Sequence, residues 1–160
     1  MTETLDSIDA KILDLIQHDA GLSVAEIADR VGLSSSPCWR RIKRLEDAGV
    51  IQKRVTILDR EKLGLGFEVF AEIKLALPSK DNLEAFEAAI VTHPAVLSCH
   101  ATVGATDYLL HIAMPSMAAL DAFLRETLWT LPGVERFTTT LAMRTIKDKG
   151  ALAPNIVAAV

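Results

Sequence analysis

The clearest chemistry in this sequence lies in residues 34–46, which read SSSPCWRRIKRLE. Four of the five residues from Arg40 to Arg44 are basic. Arg and Lys side chains neutralise DNA phosphates, and Arg also binds base edges. Small residues at the N-terminal end of a helix let its backbone approach the bases in the major groove. The segment therefore predicts a DNA-binding helix, whose candidate contact residues are Ser34, Ser35, Ser36, Pro37, Arg40, Arg41, Lys43 and Arg44.

Two kinds of DNA contact are predicted within this helix. The candidates for contacts with base edges are Ser35, Ser36 and Arg40. The candidates for contacts with phosphates are Arg41, Lys43 and Arg44. The alternative is a solvated helix face without a partner. Such faces usually alternate the sign of their charges to form pairs along the helix, but this helix carries no acid before Glu46.

Two further helices are predicted ahead of the basic one. The first covers about residues 6–18, where Asp6 can cap an apolar stripe of helical period. The second begins at Ser23, which can form a capping box with Glu26. Gly32 then supplies the positive φ that a tight turn requires. Three short helices joined in this way predict a helix-turn-helix.

The basic helix has its own boundary signals. Ser34 is predicted to cap it, Pro37 suits its first turn, and Gly49 ends it. Trp39 could stack on a base, but its position beside Ile42 favours a core residue that packs on the first helix. The following residues, 50–58, are predicted to form a β segment or a two-stranded wing.

From Phe67 onward the pattern is typical of a sheet with two helices. The predicted strands and helices, in order, cover residues 67–77, 81–92, 96–103, 108–114, 116–131 and 134–146. The order βαββαβ predicts a ferredoxin-like sandwich. The fold is therefore expected to be α+β, with a winged helix-turn-helix at 1–58, a linker at 59–66, the ferredoxin-like domain at 67–150 and a tail at 151–160.

Two histidines are predicted to face each other in the hairpin of this sheet. A four-residue loop at 104–107 places His100 opposite His111, on the face away from the helices. A zinc site would need a third or fourth ligand, which the sequence does not offer, so no metal is expected. Because this face also carries Phe70, a second subunit is expected to cover it.

Composition excludes several classes of protein. Half of the 160 residues are hydrophobic, which predicts a real core, and the net charge is −4. No window reaches the roughly 18 apolar residues that span a bilayer, and the acidic N-terminus is unlike a signal peptide. We expect a cytoplasmic protein without a membrane partner. Cys38 and Cys99 are expected to be buried, reduced thiols, and no cofactor is predicted.

The sequence resembles the Lrp/AsnC (leucine-responsive/asparagine) family of transcription regulators from about Leu5 to Ile146. The most specific pieces are VGLSSSPCWRRIKRLE, residues 31–46, and GATDYLL, residues 104–110. The resemblance implies a regulator that binds double-stranded DNA and forms homodimers, and further octamers, through a RAM-type ferredoxin-like domain. It also implies a free amino acid bound between dimers, beside the loop at 104–108. Many members have a second acidic residue or an aromatic residue within the loop, where this chain has Ala105 and Thr106.

The effector site implied by the resemblance combines the hairpin loop with the last strand. Loop amides and the carboxylate of Asp107 would bind the charged groups of an amino acid, and nearby threonines would add hydroxyls. The bland alternative is that Asp107 is only a turn residue. The candidate effector residues are Val103, Gly104, Ala105, Thr106, Asp107, Tyr108, Thr138, Thr139 and Thr140.

An enzyme is the rival interpretation. Sirohaem decarboxylases have a related two-domain fold and use histidines and arginines, so His100 and His111 keep this alternative open. The sequence shows no nucleophile, metal cluster or acid–base pair, and its basic helix is intact, so we expect a protein that is not an enzyme. A sensor with a vestigial DNA domain is disfavoured by the intact capping and glycine signals.

Overall fold

The computed structural model describes residues 5–76, 79–131 and 133–147. They divide into two compact units, with the boundary between Ile57 and Leu58. The predicted tail at 151–160 lies outside the described residues. No helix in the described part of the chain is long and apolar enough to cross a membrane.

The first unit contains three helices, which confirms the predicted helix-turn-helix. They are α1 (Ser7–His18), α2 (Val24–Val31) and α3 (Ser35–Asp47). Asp6 caps α1, and Ser23 forms the predicted capping box with Glu26. Gly32 ends α2 with φ 72°, which an L side chain adopts only with strain. The turn between α2 and α3 therefore follows from local chemistry.

One apolar face of each helix supplies the core of this unit. The buried residues are Ile12, Ile16, Leu22, Ile27, Ala28, Cys38, Ile42 and Leu45. On α3 the buried positions recur at intervals of four and three residues, so they form a single stripe. The opposite side of α3 is left for solvent.

Ser34 is the N-cap residue of α3, as predicted, with extended backbone, although its side chain makes no capping hydrogen bond. One local prediction for this unit is wrong. Residues 50–58 contain no β-strand, because none of them pairs with another described segment. Val55, Ile57 and Leu58 are exposed there. A β-strand requires a neighbouring strand to pair with, and these apolar residues have none among the described residues.

The second unit has the predicted βαββαβ order. Its elements are β1 (Phe67–Leu75), α4 (Lys80–Val91), β2 (Val96–Ala101), β3 (Tyr108–Met114), α5 (Met117–Glu126), a 3-10 turn (Leu128–Thr130) and β4 (Val134–Leu141). The sheet order is β2-β3-β1-β4 with all neighbours antiparallel. The ferredoxin-like α+β fold is confirmed.

The two helices and one face of the sheet form the core of this unit. The sheet contributes alternate residues of β1 and β3, as expected for a half-buried strand. Those residues are Val69, Ala71, Ile73, Leu75, Tyr108, Leu110, Ile112 and Met114. The helices contribute Phe86, Ile90, Leu120 and Phe123. The other face of the sheet, here called the outer face, faces away from the helices.

The hairpin register differs from the predicted one. Ala101 pairs with Tyr108 and His100 with Leu109, so the loop covers six residues, 102–107, rather than four. The N–H of Thr102 donates to Asp107 O at 2.8 Å, and its hydroxyl donates to Thr106 O at 2.8 Å, which closes the longer loop. His111 consequently lies opposite Ser98, not His100. The shift is two residues, so both histidines keep the outer face.

Neither cysteine is in a disulfide. Cys38 is buried in the first unit, as predicted, whereas Cys99 is only half-buried in the second. Burial raises the pKa of both thiols, which makes them poor nucleophiles.

Candidate DNA-binding helix and effector loop

The face of α3 opposite the core carries most of the predicted DNA contacts. Ser34, Ser35, Ser36 and Arg40 are exposed, as are Lys43 and Arg44, and Pro37 is half-buried in the first turn. Among the described residues Arg40 has no ion-pair partner, so its guanidinium is available to a ligand. The N-terminal half of α3 therefore presents small polar side chains followed by cations, the arrangement that major-groove contact requires.

Lys43 lies on the same exposed face but has an acidic neighbour. Its Nζ is 2.9 Å from Asp47 Oδ1, one helical turn later, and this contact raises the pKa of Lys43. Both side chains are more than half exposed. Exposed pairs at this spacing contribute only a few tenths of a kcal/mol, so a DNA phosphate can replace Asp47 at little cost.

Arg41 is turned toward α1 instead. One nitrogen of its guanidinium donates to Asp6 Oδ2 at 2.7 Å and to Asp9 Oδ1 at 2.8 Å. Arg44 donates to the other oxygen of Asp9. We call these four residues the acidic clasp. Sequence reasoning did not assign Asp6 and Asp9 any role toward α3, because these partners lie far apart in the chain and local patterns do not reveal such contacts.

The acidic clasp has a clear electrostatic signature. The hydrogen bond from the backbone N–H of Asp9, followed by that from Arg41, lowers the pKa of Asp6 to about 2. The bonds to Asp6 and Asp9 raise the pKa of Arg41. Asp6 and Arg41 are therefore both charged at any physiological pH.

Trp39 is not a core residue, so that prediction is wrong. Its side chain is 54% exposed. Residues 38, 42 and 45 form the buried stripe, and position 39 is about 100° round the helix from position 38. The indole therefore borders the exposed face of α3 beside Ser35 and Lys43, at helical spacing.

The hairpin loop at 102–107 is anchored at both ends and open in the middle. Val103, Gly104 and Ala105 are exposed, and Gly104 has φ 149°. No hydrogen bond between described residues uses the N–H groups of these three residues. Exposed amides of this kind can donate to a carboxylate without disrupting the fold.

Asp107 is occupied by contacts within the unit. Its Oδ2 accepts the backbone N–H of Leu75 at 2.7 Å, and its Oδ1 accepts from Lys74 Nζ at 3.0 Å. The bond from Leu75, followed by that from Lys74, lowers the pKa of Asp107. The residue therefore serves first to hold the loop against the end of β1.

The side chain of Tyr108 lies on the helix side of the sheet. Its hydroxyl donates to Glu87 Oε1 at 2.7 Å, and its ring packs against Phe86 with centroids 4.6 Å apart. Burial, followed by the bond to Glu87, raises the pKa of Tyr108. Among the candidate effector residues, this ring belongs to the core, so only its backbone remains near the loop.

The three threonines of β4 do not share one face. Thr138 pairs with Glu72 and Thr140 with Phe70, on the outer face, whereas Thr139 pairs with Ala71 of the buried face. All three are exposed, because β4 is the edge of the sheet. Two of the three hydroxyls therefore lie on the outer face, and that of Thr139 does not.

The outer face has a polar centre of its own. Glu68 accepts hydrogen bonds from Arg60, from His111 at 2.9 Å and from Thr145 at 2.6 Å. The bond from Thr145 leads the contacts that lower the pKa of Glu68. The His111 ring stacks on Phe70 at 4.7 Å. In the described ranges no group of three His, Cys, Asp or Glu side chains could hold a metal ion.

Comparison with known proteins agrees with both units. The Lrp/AsnC ligand binding domain matches residues 68–152, and a winged helix-turn-helix DNA-binding domain matches residues 5–52. The glutamate uptake regulatory protein of Zymomonas mobilis is 43% identical over 79% of this chain and 77% of its own length. The leucine-responsive regulatory protein of Salmonella typhimurium is 39% identical over 92% of this chain and 90% of its own.

Solved structures give the same result. A Neisseria meningitidis transcriptional regulator in complex with L-Met superposes with a TM-score of 0.91 at 38% identity, over 96% of this chain and 99% of that one. An AsnC family regulator from Agrobacterium tumefaciens gives 0.90 at 36% identity, over 95% and 99%. With a DNA-binding helix-turn-helix in one unit and the family's ligand-binding domain in the other, the chain belongs to the Lrp/AsnC family of DNA-binding transcription regulators.

Proposed function

We propose that this regulator binds specific DNA sites through α3 and changes its DNA affinity when a free amino acid binds at the hairpin loop between dimers. The observation that carries the DNA half is Arg40, which is exposed on α3 behind the exposed serines 34–36 at the start of the helix and has no ion-pair partner among the described residues. Ser34, Ser35, Ser36, Pro37, Arg40, Lys43 and Arg44 form the proposed contact surface. Arg41 is not included in this surface, because its guanidinium is hydrogen-bonded to the carboxylates of Asp6 and Asp9.

The effector half is supported by the loop and by the relatives. Val103–Ala105 are three consecutive exposed residues whose N–H groups make no hydrogen bond with another described residue, and such N–H groups suit the carboxylate of an amino acid. One relative is named for leucine and another for glutamate uptake, and a similar structure contains L-Met. The proposed site comprises Val103, Gly104, Ala105, Thr106, Asp107, the Tyr108 backbone, Thr138, Thr139 and Thr140. Asp107 would shape this site and Lys74 would add a cation beside it.

Self-association is proposed to place that site between protomers. The outer face carries Phe70, 38% exposed, stacked on His111. A second copy of the chain covering this face would give a homodimer, and dimers would assemble further into an octamer. Linkage would then couple the effector to DNA: an amino acid that prefers one assembly changes DNA affinity by the same preference.

The test of the whole proposal is DNA binding by the full chain. Fluorescence anisotropy would follow its binding to the intergenic DNA upstream of its own coding region, across a salt series, with and without the twenty amino acids. We expect a steep salt slope and a midpoint that shifts with at least one amino acid. Absence of binding at low salt would overturn the DNA half. Absence of heat from all twenty amino acids at millimolar concentration in calorimetry would overturn the effector half.

The assembly is tested by sedimentation. Phe70→Glu places a charge on the outer face and is expected to shift the chain toward monomer. Val91→Glu is the matched control, because Val91 is 81% exposed on α4, on the helix side of the sheet. Equal sedimentation of the two variants would contradict an interface on the outer face.

A further inference from the structure

Asp9 stands out as the only buried charged side chain in the described part of the chain. It is 1% exposed, although it lies in the first turn of α1. One oxygen accepts from Arg41 and the other from Arg44, and the second oxygen also accepts the N–H of Asp6 at 3.1 Å. A buried carboxylate is tolerated only when it is paired in this way.

The two arginines that hold Asp9 both come from α3, the helix proposed to bind DNA. Both guanidinium groups bond to this buried carboxylate, but Arg41 is only 27% exposed, whereas Arg44 is 45% exposed. A guanidinium that makes two hydrogen bonds to carboxylates has less freedom to reach a phosphate. Arg41 and Arg44 therefore set where α3 lies relative to the N-terminus of α1.

We propose that Asp9 is a positioning residue for DNA binding, which orients α3 through Arg41 and Arg44, and that Arg41 acts in this clasp instead of contacting a phosphate. The inference rests on the proposed function, in that α3 is taken as the helix that meets DNA. It assigns a role in DNA binding to an acid, the charge type that DNA repels.

The direction in which Asp9→Asn changes DNA affinity distinguishes a positioning role from simple electrostatic repulsion. Asp9→Asn removes a negative charge near a DNA-binding helix, and Coulomb attraction alone would then raise DNA affinity. Positioning predicts the opposite: affinity for the upstream intergenic DNA falls by about tenfold. Asp14→Asn is the matched control. It removes the same charge from α1 at a side chain that contacts Gln17 and His18 of its own helix, and affinity should stay within about twofold of wild type.

A second pair of variants tests Arg41 while the Asp9 carboxylate itself is kept. Arg41→Gln and Lys43→Gln each remove one positive charge from α3. Loss of a phosphate contact lowers the salt slope of binding by about 1, which is the expectation for Lys43→Gln. Arg41→Gln is expected to weaken binding while the slope keeps its wild-type value.

The experiment uses the full chain, labelled upstream intergenic DNA and a mixed-sequence duplex of equal length, with circular dichroism to check the fold of each variant. Binding by Asp9→Asn that equals or exceeds that of wild type overturns the inference. If Asp9→Asn does not fold, the salt slope of DNA binding by Arg41→Gln decides. A decrease in that slope equal to the decrease for Lys43→Gln overturns the inference. Failure of the wild type to bind either DNA at low salt would instead overturn the proposed function, and the inference with it.

Discussion

The carboxylate of Asp107 accepts the backbone N–H of Leu75 at 2.7 Å, joining the hairpin loop to the end of β1. The N–H of Leu75 points toward β3, but β3 begins at Tyr108, opposite Ile73, so no residue of that strand lies opposite Leu75. Asp107 supplies the missing acceptor. Its own N–H donates to Ile73 O at 2.8 Å, so the loop and the strand hold each other at two points.

Removing this acceptor should destabilise the second unit. Asp107→Ala leaves the N–H of Leu75 without its partner and is expected to lower the free energy of unfolding by about 1–3 kcal/mol. Asp107→Asn keeps an oxygen acceptor and should cost less. Urea unfolding of the full chain measures both. Glu135→Ala, at an exposed carboxylate of β4, is the control and should change stability by less than about 0.5 kcal/mol. Equal losses for Asp107→Ala and Glu135→Ala would contradict this role.

The first unit should lose stability in acid through Asp6. Its pKa is lowered from 3.8 to about 2 in the folded chain. A carboxyl with a lowered pKa stabilises the fold at pH above its unfolded value, and this contribution disappears as the pH falls through the folded value. We therefore expect stability to decrease between about pH 4 and pH 2, and Asp6→Asn to flatten that decrease.

Fluorescence of Trp39 can report this transition selectively. The sequence has two tryptophans, so Trp129→Phe leaves Trp39, in the first unit, as the only indole. The substitution also keeps an aromatic ring against Phe137. Urea unfolding at a series of pH values, in this background, gives the slope of stability with pH. If stability has the same slope with pH with and without Asp6→Asn, the Asp6 carboxyl has the same pKa in the folded and the unfolded chain, which would contradict this prediction.

Local chemistry accounted for much of the fold. Asp6, Ser23 and Gly32 each satisfy a backbone requirement within four residues of themselves, so the ends of α1 and α2 could be read directly. The βαββαβ order followed from the change in hydrophobic period, and a two-residue error in the hairpin register left His100 and His111 on their expected face.

The contacts of Arg41 and Asp107 could not be predicted from the sequence, because each of them joins residues that are far apart in the chain. Arg41 meets Asp9 across 32 positions, and Asp107 meets Leu75 across 32. The Asp107 carboxylate was expected to serve an effector, but the backbone N–H of Leu75, which lies beyond the residues of β1 that pair with β3, takes one oxygen. Nothing near Asp107 in sequence signals that contact. The same reason explains residues 50–58, since a strand depends on a partner that local pattern does not specify.

Trp39 provides a direct test of the exposed border of α3. Because the indole is more than half exposed, Trp39→Ala should change the free energy of unfolding by less than about 0.5–1 kcal/mol. Ile42→Ala, one turn away in the buried stripe, should cost about 2–5 kcal/mol. Chemical denaturation compares the two. A loss for Trp39→Ala as large as that for Ile42→Ala would mean that the ring is buried in solution.

DNA binding should separate Arg40 from Lys43. Arg40 is exposed near the N-terminal end of α3 without an ion-pair partner among the described residues, so it can reach base edges. Arg40→Ala should cost about 1–3 kcal/mol on the specific site and little on mixed-sequence DNA, which lowers discrimination. Lys43, a turn later and paired only with exposed Asp47, suits a phosphate. Lys43→Ala should weaken both DNAs similarly and reduce the salt slope by about 1.

The comparison depends on the ratio of the two affinities, since either variant alone lowers binding. Anisotropy titrations of both variants on both DNAs, over the same salt series, give that ratio directly. A charge reversal, Asp47→Lys, extends the test: it removes the acid that holds Lys43 and should tighten binding to both DNAs without changing the ratio. If Arg40→Ala and Lys43→Ala lower the ratio to the same extent, base contact and phosphate contact are not divided between these residues, and α3 meets DNA in a different orientation.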